Sequence, residues 1–357
     1  MHETSQPAPQ TRFSHVAVVG PGAVGCIFAV RLALVKGGPR VTLIDHRPDR
    51  AARLSARPIL IHTPRGDLQA PIEVRLAPAD PPDLVLFATK AGAARAAAEA
   101  ARGWIGAATV LTIQNGLGVA EEVAAALPEA TVLAGVIYQA ANAVAEGEVN
   151  HVANLQTYVG CEPIRKTPVA PPPPAVQNGS QASAPPGAAV PQPSPRSDGL
   201  YAGRQVDDRA IAVAALLSAA GLPAEAVPEI ASMVWGKLLV NAAINPVAAL
   251  AGVLNGDVAA RPTLRALAET IALEGEAVAR AEGVRLPYAS APAAVMTTAR
   301  KTADNRCSML QDLDARRPTE IEYLNGALVR LAERHNVKVP ANRAVATLIR
   351  QVSASLA

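Results

Sequence analysis

The stretch HVAVVGPGAVG, residues 15–25, decides the fold. It opens with short, β-branched and apolar residues, as a buried strand does. Glycines then fall at 20, 22 and 25. The residues AVGCIFAVRLALVKG (23–37) show helical apolar spacing and stop at a glycine. RVTLID (40–45) reads as a second strand that ends in an acid. A strand, a glycine turn, a helix, and an acid closing the next strand about 20 residues on make up the full context of a dinucleotide fingerprint. In that context Gly20 permits the tight turn and Gly22 lets the backbone approach a pyrophosphate. Gly25 lets helix and strand pack closely, with the helix N-terminus facing the phosphates. Gly20, Pro21, Gly22, Ala23, Val24 and Gly25 are thus the expected phosphate cradle, and Asp45 stands where a ribose is recognised.

Working outward, DLVLFATK (83–90) and TVLTIQNG (109–116) read as two further buried strands around an alanine-rich helix, AARAAAEAAR (93–102). Strand then helix, repeated, predicts an α/β fold with a parallel sheet wound on both faces. TVLAGVIYQAA (131–141) and NLQTYVG (154–160) supply more strands. Composition then breaks: from Pro163 to Gly199 the chain is rich in Pro, Ala, Ser and Gly and holds almost no large apolar residue. Such a segment buries too little surface to order itself, and a disordered insertion is expected. RAIAVAALLSAAGLPAEAV (209–227) reads as a last helix and edge strand, and from about Glu229 the pattern is helical throughout. The expected organisation is a tail at 1–13, a Rossmann dinucleotide-binding domain at 14–228 interrupted at 163–199, and an all-α domain at 229–357.

The composition narrows the function. The net charge is only +3 and aromatic residues make up 3% of the chain, so there is neither a basic stripe nor a stacking surface for nucleic acid. Cys26, Cys161 and Cys307 have no metal-like spacing, so neither a zinc site nor a disulfide framework is expected. No uninterrupted apolar run reaches membrane-spanning length, and the N-terminal MHETSQPAPQTR lacks the apolar segment of a secretory signal. A cytoplasmic protein without membrane contact is expected.

One segment does not fit a plain core helix. VWGKLLVNAAINP (234–246) is apolar, yet Lys237, Asn241 and Asn245 recur every fourth residue and share one helix face. Asn is a poor helix former, so this is an odd choice for a solvated stripe. Set beside GPGAVG, TIQNGLG (112–118) and NRCSMLQDLDARRPTEIEYLNG (305–326), the segment resembles the ketopantoate reductase family. That family reduces 2-dehydropantoate to pantoate with a nicotinamide cofactor. The resemblance runs from about Ser14 to about Asn342, apart from the Pro-rich segment.

The resemblance implies roles for these residues. Lys237 corresponds to the general acid, and Glu320 to the glutamate that helps set up the site and contacts the cofactor ribose. Asn241, Asn245 and Asn255 match substrate-binding positions. Ser308 matches the serine that meets the substrate carboxylate, with Asn305 nearby. Lys90, Asn115 and Ala141 match cofactor contacts. Taken singly, several have plainer readings: Asn115 precedes a glycine as a turn former would, and Thr319 and Glu322 have capping-box spacing that would make Glu320 a first-turn acid. The expected partner is a small 2-keto acid, and a homodimer is compatible with the reading. NADP(H) is the expected cofactor, with His46 and Arg47 beside the 2′-phosphate, while Asp45 leaves NAD(H) open. A related 2-hydroxyacid dehydrogenase acting on another 2-keto acid is the nearer alternative. A non-catalytic nicotinamide-nucleotide sensor is the farther one, and it has no use for Lys237 and Glu320.

Overall fold

The computed structural model describes residues 12–161 and 205–356. The expected insertion at 163–199 lies outside these residues, as does most of the expected tail. The first half runs β1 (His15–Val19), α1 (Ala23–Ala33), β2 (Arg40–Ile44), α2 (Pro48–Ser55), β3 (Ile59–His62), β4 (Leu68–Ala70), β5 (Glu73–Arg75), β6 (Leu84–Phe87), α3 (Ala91–Ile105), β7 (Thr109–Thr112) and α4 (Val119–Ala126). Two long strands follow, β8 (Thr131–Ala145) and β9 (Glu148–Gly160), then α5 (Asp208–Ala219) and β10 (Ala224–Ala226). After β10 every described element is a helix: α6 (Ala231–Ala251), α7 (Asn255–Ala260), α8 (Pro262–Ala281), α9 (Ala291–Lys301), α10 (Ser308–Asp314), α11 (Asn325–Arg334) and α12 (Pro340–Leu356).

The strands form one sheet in the order β4-β3-β9-β8-β7-β6-β1-β2-β5, with β10 on β9. The run from β8 through β5 is parallel, as the sequence predicts. The sheet as a whole is mixed, because β9 runs antiparallel to β8 and β4 antiparallel to β3. β8 and β9 are also longer than their apolar stretches suggested, because they extend through the mixed polar and apolar residues 142–153 and meet in a tight turn at Gly147. Pairing with a neighbouring strand satisfies the backbone there even where the side chains are not apolar.

The two faces of the sheet are covered differently. On one face α1 and α5 pack Ile27, Phe28, Leu32, Val213 and Leu217 over the strands. On the other, α3 presents Ala91, Ala94, Ala98 and Ala101, spaced three and four residues apart, so its buried face is alanine up to Ile105 in its last turn and the helix can lie close. The helical half has its own core around Trp235, Leu239, Ile271 and Leu328. α6 runs through that core. Its length and hydropathy would suit a membrane span, but most of it is buried inside the protein.

β1 sits at the switch point, with β2 on one side and β6 on the other, so the crevice opens at the strands' carboxyl ends. Gly20, Asp45, Lys90 and Asn115 all follow those ends. The described residues that flank positions 162–204 lie close together, since the Cys161 side chain interacts with Asp207 at the start of α5. Replacing residues 168–196 with a short Gly/Ser linker is expected to leave melting temperature and turnover nearly unchanged, since closure entropy depends only weakly on loop length. A large loss of soluble protein or turnover would refute this.

Candidate active site

A cleft of about 1270 Å³ runs along the carboxyl ends of β1, β6 and β7 and is walled on its far side by α6, α10 and the turn before α11. At its floor the glycine turn is built for a close ligand. A Cβ at Gly25 would lie 2.0 Å from the Gly20 carbonyl oxygen, so only glycine lets α1 seat against the turn. A Cβ at Gly22 would meet nothing within 4 Å, and Gly22 lines the cleft. The backbone there is open to a phosphate at the N-terminus of α1. Pro21, Ala23 and Val24 line the same end, while Gly25 is buried. Around the opposite wall, Gln114 Oε1, Asn115 Oδ1 and Asn142 Oδ1 are buried without a partner among the described residues. They are acceptors suited to amide and hydroxyl donors, which a nicotinamide and its riboses carry. The residues present fit a dinucleotide.

The end of β2 differs from the expectation. Asp45 is buried, and both carboxylate oxygens are taken by the Arg50 guanidinium, Oδ1 at 2.7 Å from Nη2 and Oδ2 from Nε. The Arg47 backbone N–H donates to the same carboxylate at 3.2 Å. Asp45 thus faces inward as the partner of an arginine. Arg50 and His46 line the cleft in its place. Arg47 is exposed and points to Glu146, at the turn between β8 and β9, at 4.0 Å.

Lys237 enters from α6. Its Nζ donates to the Ile137 carbonyl at 2.6 Å and lies 5.5 Å from the centre of the Tyr138 ring. Burial pushes its pKa down to about 8, while the Glu320 carboxylate pulls it up. Ser308, at the start of α10, lines the same cleft. Lys90 crosses to the helical half and donates to the buried Asp312 at 2.7 Å, and Arg317 shares that carboxylate at 3.1 Å. Glu320 does not cap its own helix. The residues after it form a turn, and α11 begins only at Asn325. Its carboxylate instead accepts from the backbone N–H of Ala91 at the N-terminus of α3, and from the Asn115 side-chain amide, both at 3.2 Å. The helix dipole it complements belongs to the other half of the molecule.

The structure therefore gathers the glycine turn, His46, Lys90, Asn115, Ala141, Lys237, Ser308 and Glu320 around one cleft. Asn241 lines a small adjoining cavity with Lys237, Gln114 and Asn115. Asn245, Asn255 and Asn305 are buried and do not form the cleft wall; the Asn255 amide donates to the Thr302 hydroxyl at 3.0 Å. Sequence reasoning passed over Arg50, Gln139, Asp312 and Arg317. Arg50 lies five residues after Asp45, a spacing that points to a pair only once α2 is known to fold back over the end of β2. Asp312 is visible in the quoted SMLQD, but its bond to Lys90 spans two halves of the chain.

Comparison with known proteins agrees with this architecture. Residues 16–163 match the family described as Ketopantoate reductase PanE/ApbA, and residues 229–353 match Ketopantoate reductase PanE/ApbA C terminal. A 2-dehydropantoate 2-reductase of Halobacterium salinarum is 31% identical over 94% of this chain and 97% of its own. One from Vibrio cholerae is 28% identical over 96% and 98%. Among solved structures, a PanE/ApbA family ketopantoate reductase from Ralstonia eutropha superposes with a TM-score of 0.78 at 27% identity, covering 96% of this chain and 99% of the other. D-mandelate dehydrogenase, solved with NADH and anilino(oxo)acetate, shares the fold at a TM-score of 0.76 and 21% identity, over 96% and 99%. With both halves matched in order and the relatives covered almost end to end, the chain belongs to the ketopantoate reductase family.

Proposed function

We propose that the protein is a 2-dehydropantoate 2-reductase, which reduces 2-dehydropantoate to pantoate with NADPH. The observation that carries the reading is the half-buried Lys237 ammonium, held in the same cleft as the dinucleotide turn. When bound, the nicotinamide nucleotide supplies hydride to the keto carbon. Negative charge then builds on the keto oxygen, and Lys237 is the group placed to protonate it. Burial makes it a stronger acid than a solvated lysine, and Glu320 keeps it largely protonated near neutrality. Ser308 is the hydroxyl available to the substrate carboxylate, with Asn241 beside Lys237. Lys90 and Asn115 serve the nucleotide. A cytoplasmic enzyme is part of the same reading.

NADPH is favoured because Asp45 is already neutralised. An acid at this place selects NADH by accepting from the ribose 2′-OH and repelling a 2′-phosphate. Here its oxygens are committed to Arg50, and the side chains left facing the cleft are His46 and Arg50. Arg50→Gln removes a cation and frees the acid at once. It is expected to lower kcat/KM for NADPH relative to NADH by roughly 10- to 100-fold, the worth of a charged hydrogen bond. Fluorescence titration of both nucleotides should show the same shift in Kd. Kinetics on a panel of 2-keto acids tests the substrate. A clear preference for an aromatic or branched 2-keto acid over 2-dehydropantoate would defeat the reading, and an unchanged nucleotide ratio in Arg50→Gln would defeat the cofactor assignment.

A further inference from the structure

Glu320 owes its place to a turn, residues 321–324, that belongs to the helical half but is seated in the other half. The Tyr323 backbone N–H donates to the Glu320 carbonyl at 3.0 Å, so the two residues move as one unit. The Tyr323 side chain is buried in the alanine-lined core between the sheet, α3 and α4, remote from its own domain's core. Its carbonyl accepts from the Leu117 backbone N–H at 3.0 Å. Gly116 lies directly against it: a Cβ there would stand 2.5 Å from the Tyr323 oxygen, and the glycine has φ +101°. At the bottom of the seat the Tyr323 hydroxyl donates to the buried Glu122 carboxylate at 3.0 Å. The Glu320 carboxylate then rests on Ala91 and Asn115 at the edge of the same seat.

From this geometry we infer that Tyr323 and Glu122 are positioning residues: their buried hydrogen bond anchors the turn and thereby aims the Glu320 carboxylate at the cleft. The inference rests on the catalytic reading of Glu320 given above. The chemistry favours a specific anchor over generic packing. A buried carboxyl costs free energy unless a donor meets it, so the tyrosine hydroxyl has a strong reason to occupy one position. The charged groups around the pair are Arg95 on α3, Glu121 on α4, Arg330 on α11 and Glu320 itself. Around Lys237, Glu320 is the carboxylate that raises its pKa. A displaced Glu320 would therefore leave a weaker grip on the Lys237 proton.

Tyr323→Phe keeps the ring and removes the anchor. It is expected to lower kcat/KM for the keto acid roughly 3- to 10-fold, the equivalent of one hydrogen bond. It should also move the alkaline limb of the pH profile to lower pH. Glu122→Gln, whose amide oxygen still accepts from the hydroxyl, should stay near wild type. In a Glu320→Gln background, Tyr323→Phe should have no further effect on the pH limb. A Tyr323→Phe enzyme with wild-type kinetics and pH profile would overturn the inference, as would an effect fully additive with Glu320→Gln. A crystal structure of Tyr323→Phe tests the seat without activity. Glu320 shifted off Ala91 supports the anchor, and Glu320 unmoved refutes it. Wild-type turnover by Glu320→Gln, with Glu320 shifted in Tyr323→Phe, would instead show that the catalytic reading of Glu320 had failed.

Discussion

Lys237→Ala is expected to lower kcat by roughly 10²–10⁴-fold, the contribution of a positioned acid, while nucleotide affinity changes far less. The split follows from where the ammonium sits. It bonds the Ile137 carbonyl at the base of the cleft and touches neither the glycine turn nor the end of β2. A neighbour cannot take over, because the other lysine in the cleft, Lys90, is bonded to Asp312. The pH profile carries the same signature. Lys237 donates only when protonated, and burial places its pKa at about 8. Activity should hold on the neutral side and fall as pH rises through that value. Stopped-flow reduction at several pH values checks both statements. A variant with near-wild-type turnover would show that the proton comes from elsewhere.

Asn325→Leu is the second large effect, this time on stability. Pro246 sits inside α6 and has no N–H, so the Ala242 carbonyl one turn earlier loses its helical partner. Asn325 repairs the gap: its amide donates to the Ala242 oxygen at 2.9 Å and to Asn342 Oδ1 at 3.0 Å. Asn342 in turn donates to the half-buried Glu274 at 2.9 Å, and Asn325 and Asn342 themselves are fully buried. Leucine would strand two acceptors, at roughly 1–3 kcal/mol each. Denaturant unfolding should show a large drop in midpoint. Adding Pro246→Ala restores an N–H beneath Ala242, so the double variant should lose less than the sum of the singles. Strict additivity would show that Asn325 does not serve the proline.

The parts of the molecule that were legible in sequence are those with a local physical signature. The β1–α1 unit is written in β-branched residues, glycines and helical spacing, all within a few residues of one another. Lys237, Asn241 and Asn245 stood out because polar side chains at helical spacing conflict with an apolar segment. β3, β4 and β5 have three or four residues each, too few for periodicity to register, and exist because neighbouring strands pair with them. Asp45 was legible as an acid after a strand, but its orientation was not. That depended on Arg50 arriving from the next helix. The seat of Tyr323 depends on Glu122, which lies far away in the chain, and no window along the sequence contains both.

The junction at Cys161 and Asp207 has a consequence for how the chain can be divided. α5 and β10 follow that junction in sequence, yet they complete the sheet begun before it: β10 pairs with β9, and Val213 and Leu217 join the core under α1. The halves of the polypeptide are therefore not the halves of the architecture. Scission between residues 162 and 204 would give an N-terminal fragment whose sheet face keeps α1 but loses α5, and a C-terminal one carrying an orphan strand and helix. The two pieces would have to meet through β9 and β10 to rebuild the sheet. Co-expression as complementing fragments suits this enzyme, and expression of the helical half should begin after β10, not at the composition break.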